Sequence, residues 1–398
     1  RFVTDPPLPR NYARELLQLD RGRGVHLWDA EGNRYLDLGA GIAVNALGYG
    51  RRDIARIAAR QMKKLVHVSN LYATRPGVEL AARLIDLTRE RVGPFVAVQF
   101  GNSGSEANEA ALKYARLYAH RTRGPGHHKI LSFSGGFHGR TMGALSTTSN
   151  RKYSEPFEPL IPDMVTCDFN DVDQVKALLN EQFAAVIVEV VQGEGGLRTM
   201  SREFASGLSA LCRELDVMLI ADEVQTGLGR TGTLFGCEQV GLKPDILTLS
   251  KPLGGGLPLS ATLIPQKINE LLNPGDHGTT FGGGPVTCAV AGHVVATIAD
   301  PGFLDQVRER SGQLVQLLDG LASAKDEVFE RRGMGLLQGL VISAADPTAR
   351  IAEIMNACRD KGVLLLRSSS NVVRIAPPLI IGEKELERGL AVLEAILR

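Results

Sequence analysis

Five short apolar runs between Val96 and Ser250 constrain this chain more than any other feature. They are VAVQF (96–100), KILSF (129–133), FAAVIVEV (183–190), VMLIAD (217–222) and DILTLS (245–250). Amphipathic segments separate them, and that alternation predicts an α/β fold with a mostly parallel sheet. Most of the runs are apolar throughout and rich in β-branched residues and leucine, as expected of strands covered on both faces. Each leads directly into glycines or polar side chains. Ligands collect at the carboxyl ends of the strands in open parallel sheets, so five converging ends predict one site.

The flanks read differently. FVTDPPLPR makes residues 1–20 a proline-rich entry without regular structure. Val25 to Gly39 predicts a hairpin turning at Glu31-Gly32-Asn33, and the glycine-rich AGIAVNALGYG a packed loop. Helices are expected over Asp53–Val66, with Ile54, Ile57, Ala58, Met62 and Leu65 on one side, and over Gly77–Thr88. After residue 290, helices at Val286–Ala299, Gly302–Ala324 and Ala349–Lys361 alternate with short strands in GLLQGLVI and NVVRIAPPLI. A large domain over 56–290 is therefore expected beside a smaller α/β domain over 291–398, which the N-terminal residues 1–55 join.

With 45 basic and 44 acidic residues, the net charge of +1 gives no reason to expect nucleic acid or a membrane surface. No apolar run approaches the roughly 18 residues that span a bilayer, and no signal-peptide pattern is present. The chain begins at Arg1 rather than Met, so residues ahead of it are missing or were removed. Five widely spaced cysteines without a C-x-x-C pair read as reduced thiols of a cytoplasmic protein.

Asp222 and Lys251 are the sharpest pair, because each ends an apolar run where a charge should not be buried without a reason. A carboxylate held against a pyridine nitrogen keeps that nitrogen protonated, and a desolvated lysine is a usable nucleophile. Gln225 stands three residues past Asp222. In GNSGSEANEAALKYAR (101–116), Ser103, Ser105 and the first helical N–H groups either cradle a phosphate or simply cap a helix. In SGGFHGRT (134–141), Phe137 either stacks on an aromatic ring or packs as an ordinary core residue, and Arg140 is placed to clamp a carboxylate. Glu189 ends one strand, and Glu194 in QGEGG is either a solvated loop acid or part of the site. Thr279 and Thr280 in GDHGTTFGGGP can offer hydroxyls to a phosphate. Arg374, in an otherwise buried run, implies a partner carboxylate, a structural ion pair being the simpler account. GLGRTG (227–232) matches G-x-G-x-x-G without opening a helix, so a dinucleotide fingerprint lacks its context. His127, His128 and His138 have no companions at metal-ligand spacing.

Together NSGSEANE, FHGRT, QGEGG, DEVQTGLGRTG, SK-x-LGGG and HGTTFGG resemble the class III (ω-amino acid) aminotransferases, a branch of the fold-type-I pyridoxal 5'-phosphate enzymes. The resemblance spans nearly the whole chain. AGIAVNALG and HGTTFGG are most similar to the acetylornithine aminotransferase branch. It implies Lys251 on the cofactor's aldehyde carbon, Asp222 on its ring nitrogen, Gln225 on its ring oxygen and Phe137 stacked on the ring. Ser103, Gly104 and Ser105 fall at the phosphate, and Glu223 and Val224 among the cofactor contacts. Thr280 would reach in from the partner subunit of a homodimer with shared active sites. Arg140 would take the α-carboxylate of the acylated amine and Arg374 that of glutamate. Thr279 falls among the substrate contacts, and Glu194 would gate Arg374.

The implied reaction moves the δ-amine of N2-acetylornithine to 2-oxoglutarate, a step of arginine biosynthesis. Transaminases for succinylornithine, ornithine, 4-aminobutyrate or a lysine-pathway amine are the nearest alternatives. Gly41 stands where ornithine δ-aminotransferases carry tyrosine, which disfavours free ornithine. Pro252 is unusual, biases Lys251 to an extended backbone, and gives LTLSKPLGGGLPL a likeness to dialkylglycine decarboxylases. Glu194 favours the first branch. The rival from another class, a non-catalytic nucleotide-binding α/β protein, predicts no visible absorbance.

Overall fold

The structure, a computed structural model, describes residues 8–12 and 17–398. At its centre lies a seven-stranded sheet, ordered Phe95–Gly101, Ser260–Pro265, Ile246–Leu249, Met218–Asp222, Phe183–Glu189, Lys129–Phe133, Met164–Cys167. Only Ser260–Pro265 runs against its neighbours, so the sheet is mostly parallel, as expected of an α/β fold. The strands Phe183–Glu189, Met218–Asp222 and Ile246–Leu249 are buried along their whole length. Their continuous apolar character answers to helices on both faces. All five sequence-predicted strands are present. Met164–Cys167 and Ser260–Pro265 were not anticipated, because neither SATLIP nor MVTC stands out from its surroundings as an apolar run.

Two smaller sheets flank this one. Leu19–Arg23, His26–Asp29 and Arg34–Asp37 form a meander, and the C-terminal strand Val363–Leu364 adds in parallel to its last strand. Leu36 thereby pairs with Val363, which joins the two ends of the chain. The predicted hairpin is there, whereas the first 20 residues are not wholly irregular: residues 19 and 20 open a strand, and residues 1–7 and 13–16 lie outside the described set. The other sheet, Val328–Met334, Leu337–Ile342, Val372–Ile375 and Leu366–Ser368, is antiparallel throughout.

The helices Arg52–Met62, Arg75–Arg89, Pro285–Ile298, Pro301–Ala324 and Pro347–Asp360 fall close to expectation. The first ends four residues earlier than its pattern. Ile54, Ile57 and Ala58 pack on the core, while Met62 and Leu65 are exposed. Among the described residues no single helix is long and apolar enough to cross a membrane; Pro285–Ile298 and Pro301–Ala324 reach that length only as a pair bent by 67°. All five cysteines are buried thiols.

Candidate active site

The carboxyl ends of five strands do meet, around a cavity of about 410 Å³. Ser103, Gly104, Ser105, Phe137, Glu194, Asp222, Val224, Gln225 and Lys251 line it. Register explains how the two central charges come together. Asp222 pairs with Thr248 in the adjacent parallel strand, and Lys251 follows three residues on.

Asp222 is only 4% exposed and well supplied with donors. Its Oδ2 accepts from Asn108 Nδ2 and bonds His138 Nδ1, both at 2.8 Å, while Oδ1 accepts from the Val224 N–H at 3.0 Å. Asn108 is itself held, its Oδ1 accepting from Thr248 Oγ1 at 2.9 Å. Burial opposes a charge on His138, yet the hydrogen bond and charge of Asp222, with Glu189 behind, raise its pKa. The carboxylate is therefore clamped in one orientation beside an imidazole whose protonated form it favours.

Lys251 faces the cavity, and its amine hydrogen-bonds nothing among the described residues. Burial lowers its pKa; Glu194 opposes that shift and Arg374 reinforces it. More of it is consequently the neutral nucleophile at neutral pH. The backbone here corrects an expectation: Lys251 is not extended but opens a 3-10 turn, Lys251–Gly254, with the Leu253 N–H bonded to the Ser250 carbonyl at 2.7 Å. Pro252 sits at the start of that turn, where its missing N–H costs no hydrogen bond.

The helix Gly104–Arg123 points its N-terminus at the cavity. Ser103 closes a capping box with Glu106, which engages the Ser103 and Glu106 amides. The N–H groups of Gly104 and Ser105 have no intrahelical acceptor and are left for an anion. Gly104 allows this approach, since a Cβ there would meet Val224 at 2.6 Å. Capping and cradling, posed as alternatives by the sequence, are compatible. Ser105 Oγ meanwhile accepts from the Arg140 N–H at 3.1 Å.

Glu194 stands at a boundary, lining both this cavity and an open cleft of about 1620 Å³ that Arg374 and Ile42 border. Arg374 is 3% exposed, and its Nη1 donates to Glu194 Oε1 at 2.6 Å and to the Gly193 carbonyl at 3.0 Å. Its Nε is buried without a partner. Arg140 is exposed and does not line the cavity, its guanidinium lying 3.8 Å above the Tyr153 ring, and Tyr153 meets Phe137 edge-on at 5.9 Å. Gly41, at φ +61°, occupies the tight turn Ala40–Ala43 and leaves no side chain there.

Three expected contacts lie elsewhere. Glu223 turns away from the cavity, where its carboxylate accepts from Gly236 N (2.7 Å), Cys237 N (2.6 Å) and Thr226 Oγ1 (3.2 Å). A strand alternates its faces, so the neighbour of a site residue points the other way. Thr279 Oγ1 accepts from the Gly282 N–H at 3.2 Å, and Thr280 is exposed beside His67, Asn70 and Gly77, outside this chain's own cavity.

Sequence reasoning assigned no role to His138, Asn108, Glu189, Tyr153 or Ser368. His138 and Asn108 both lay inside quoted motifs, His138 being weighed only as a metal ligand. Glu189 is buried, accepts from Phe137 N (2.9 Å) and Gly193 N (3.3 Å), and has its pKa pushed up to about 7 by burial, opposed by His138 and assisted by Asp222.

A clamped buried carboxylate, a desolvated lysine, an anion-binding helix end and an orphaned buried amide oxygen on Gln225 make a donor set that fits a phosphorylated pyridine aldehyde. The family model described as aminotransferase class III matches residues 8–397. The chain is 43% identical to a probable mitochondrial acetylornithine aminotransferase of Dictyostelium discoideum, over 94% of this chain and 82% of that one. It is 42% identical to an acetylornithine aminotransferase of Methanopyrus kandleri, over 100% and 98%. The crystal structure of an amine transaminase from an uncultivated Pseudomonas species, solved in its PLP-bound form, superposes with a TM-score of 0.91 at 29% identity, covering 98% of this chain and 97% of that one. The chain belongs to the class III aminotransferases. As such it is a pyridoxal 5'-phosphate-dependent enzyme that moves amino groups.

Proposed function

We propose that this enzyme transfers the δ-amine of N2-acetylornithine to 2-oxoglutarate, yielding N-acetylglutamate 5-semialdehyde and glutamate. The observation that carries the reading is the Arg374–Glu194 pair at 2.6 Å. A buried arginine masked by one carboxylate at the boundary of cavity and cleft suits an enzyme that must take two donors in opposite senses. With Arg374 masked, an amino acid cannot dock its α-carboxylate there, which favours a terminal amine. With Glu194 withdrawn, Arg374 is free for a carboxylate of glutamate or 2-oxoglutarate. Arg140, whose guanidinium has no hydrogen-bond or ion-pair partner among the described residues, is placed for the α-carboxylate of the acylated donor. The acetylornithine aminotransferases among its relatives support the same substrate.

When bound, pyridoxal phosphate supplies an aldehyde carbon for the amine and an electron-accepting ring. The chain supplies the rest. Asp222, held in place by His138, Asn108 and the Val224 N–H, would keep a proton on the ring nitrogen. Gln225 would meet the ring oxygen, Phe137 would cover the ring, and the Gly104 and Ser105 amides would take the phosphate with Ser103 beside them. Lys251 Nζ, whose pKa burial lowers, would hold the aldehyde carbon between turnovers and carry the proton to and from the substrate carbon.

Residues 56–290 form the cofactor-binding domain on this reading, and the N-terminal residues up to 55 with 291–398 the smaller one. Thr280 lies outside its own chain's cavity, which fits a homodimer in which it serves the partner's phosphate site. The enzyme is assigned to the cytoplasm. A panel of acetylornithine, ornithine, succinylornithine and 4-aminobutyrate with 2-oxoglutarate tests the substrate. Acetylornithine should give the highest kcat/KM, and a higher value for any other donor would overturn the assignment.

A further inference from the structure

We infer that Ser368 is a specificity-determining positioning residue for the Glu194–Arg374 pair, an inference that rests on the gate reading above. Ser368 ends the strand Leu366–Ser368 and is fully buried. Its hydroxyl donates to the Gly193 carbonyl at 2.7 Å and accepts the Gly196 N–H at 3.0 Å. One side chain thus ties the peptide before Glu194 to the peptide two residues after it. The Gly193 carbonyl also takes Arg374 Nη1 at 3.0 Å, so both of its lone pairs are in use.

The segment between these ties has no slack. A side-chain carbon at 193 would strike the Gln225 amide, and one at 195 would strike the Gly135 carbonyl. Gly196 holds φ +84°, and the Gly193 N–H is bound by Glu189. The backbone on either side of Glu194 is fixed, while the Glu194 side chain keeps 25% of its surface exposed. Gating is therefore a rotation of that side chain over a stationary peptide. Arg374 keeps its bond to Gly193 in both positions and stays aimed for an incoming carboxylate.

Removing the Ser368 hydroxyl orphans the buried Gly196 N–H and frees one side of the Gly193 carbonyl. The peptide can then drift. Drift harms the masked state more than the open one, because only the masked state needs Glu194 Oε1 within 2.6 Å of Arg374. Selection should move toward glutamate without loss of the cofactor.

The test uses the holoenzyme as wild type, Ser368→Ala, Ser368→Thr, Glu194→Ala and the Glu194→Ala/Ser368→Ala double variant. Each half-reaction is followed separately in single turnovers, one with acetylornithine and one with glutamate. Ser368→Ala should lower the acetylornithine-to-glutamate ratio of kcat/KM roughly fivefold, the effect of about one hydrogen bond. Ser368→Thr, which keeps the hydroxyl, should restore it, and Ser368→Ala should change nothing further once Glu194 is gone. An equal loss in both half-reactions would mean a merely structural role and overturn the inference, as would an added effect in the Glu194→Ala background. If Glu194→Ala shifts the ratio and Ser368→Ala does not, the inference fails while the gate stands. If Glu194→Ala leaves the ratio unchanged, the gate reading itself fails.

Discussion

His138 Nδ1 and Asp222 Oδ2 stand 2.8 Å apart, with at most 4% of either side chain open to solvent. The carboxylate proposed to meet the ring nitrogen is thus oriented by a second buried residue. Truncation to His138→Ala leaves Asp222 short of one donor in a dry site, at a cost of about 1–3 kcal/mol. We expect cofactor affinity, measured by titrating the stripped enzyme, to weaken by one to two orders of magnitude. His138→Asn, which keeps a donor near the same place, should recover part of it.

On the proposed reading Lys251 anchors the cofactor. Lys251→Ala should remove the band of the lysine-linked cofactor from the resting enzyme and slow turnover by at least the roughly 10²–10⁴-fold worth of a positioned acid–base group. Full turnover by this variant would falsify the assignment.

Arg374 offers a planar fork that lysine cannot copy. Arg374→Lys should raise KM for 2-oxoglutarate by roughly tenfold or more while changing kcat for the ω-amine half-reaction less. Steady-state kinetics with each substrate varied in turn decides it, and equal effects on both substrates would contradict the role.

Glu189 has a folded-state pKa near 7 against an ordinary 4.5, because burial favours its neutral form. The folded protein binds more protons than the unfolded chain between those values, so stability falls as pH rises from about 4.5 to 7. The loss is on the order of 2–3 kcal/mol. Thermal melts of the stripped enzyme should show wild type losing ground to Glu189→Gln between pH 5 and pH 8. Parallel pH curves for the two proteins would count against it.

The sequence carried the sheet because its central strands are buried on both faces, and such strands leave no polar interruptions to misread. It carried Asp222 and Lys251 for the same reason: a charge closing an apolar run is conspicuous. Glu223 was harder, since adjacency in sequence does not say which face of the chain a side chain takes. His138 and Asn108 act on Asp222 from 84 and 114 positions away, and such a contact has no local periodicity. Ser368 was invisible for a further reason. A serine in SSSN reads as loop, and its meaning depends on a glycine turn 175 residues earlier. At Lys251 the local rule for residues before proline lost to the turn that the lysine opens.

The tie between Ser368 and the turn at Gly193 has a consequence for how competence is acquired. Asp222 ends one strand of the central sheet and Lys251 follows the neighbouring one, while Ser368 and Arg374 belong to the antiparallel sheet built from the last strands of the chain. On the proposed reading, capturing the cofactor and discriminating among amines therefore draw on different sheets of the molecule. A molecule whose final strands were undocked would be equipped to react but not to choose, so that fidelity depends on the seating of the chain's last sheet.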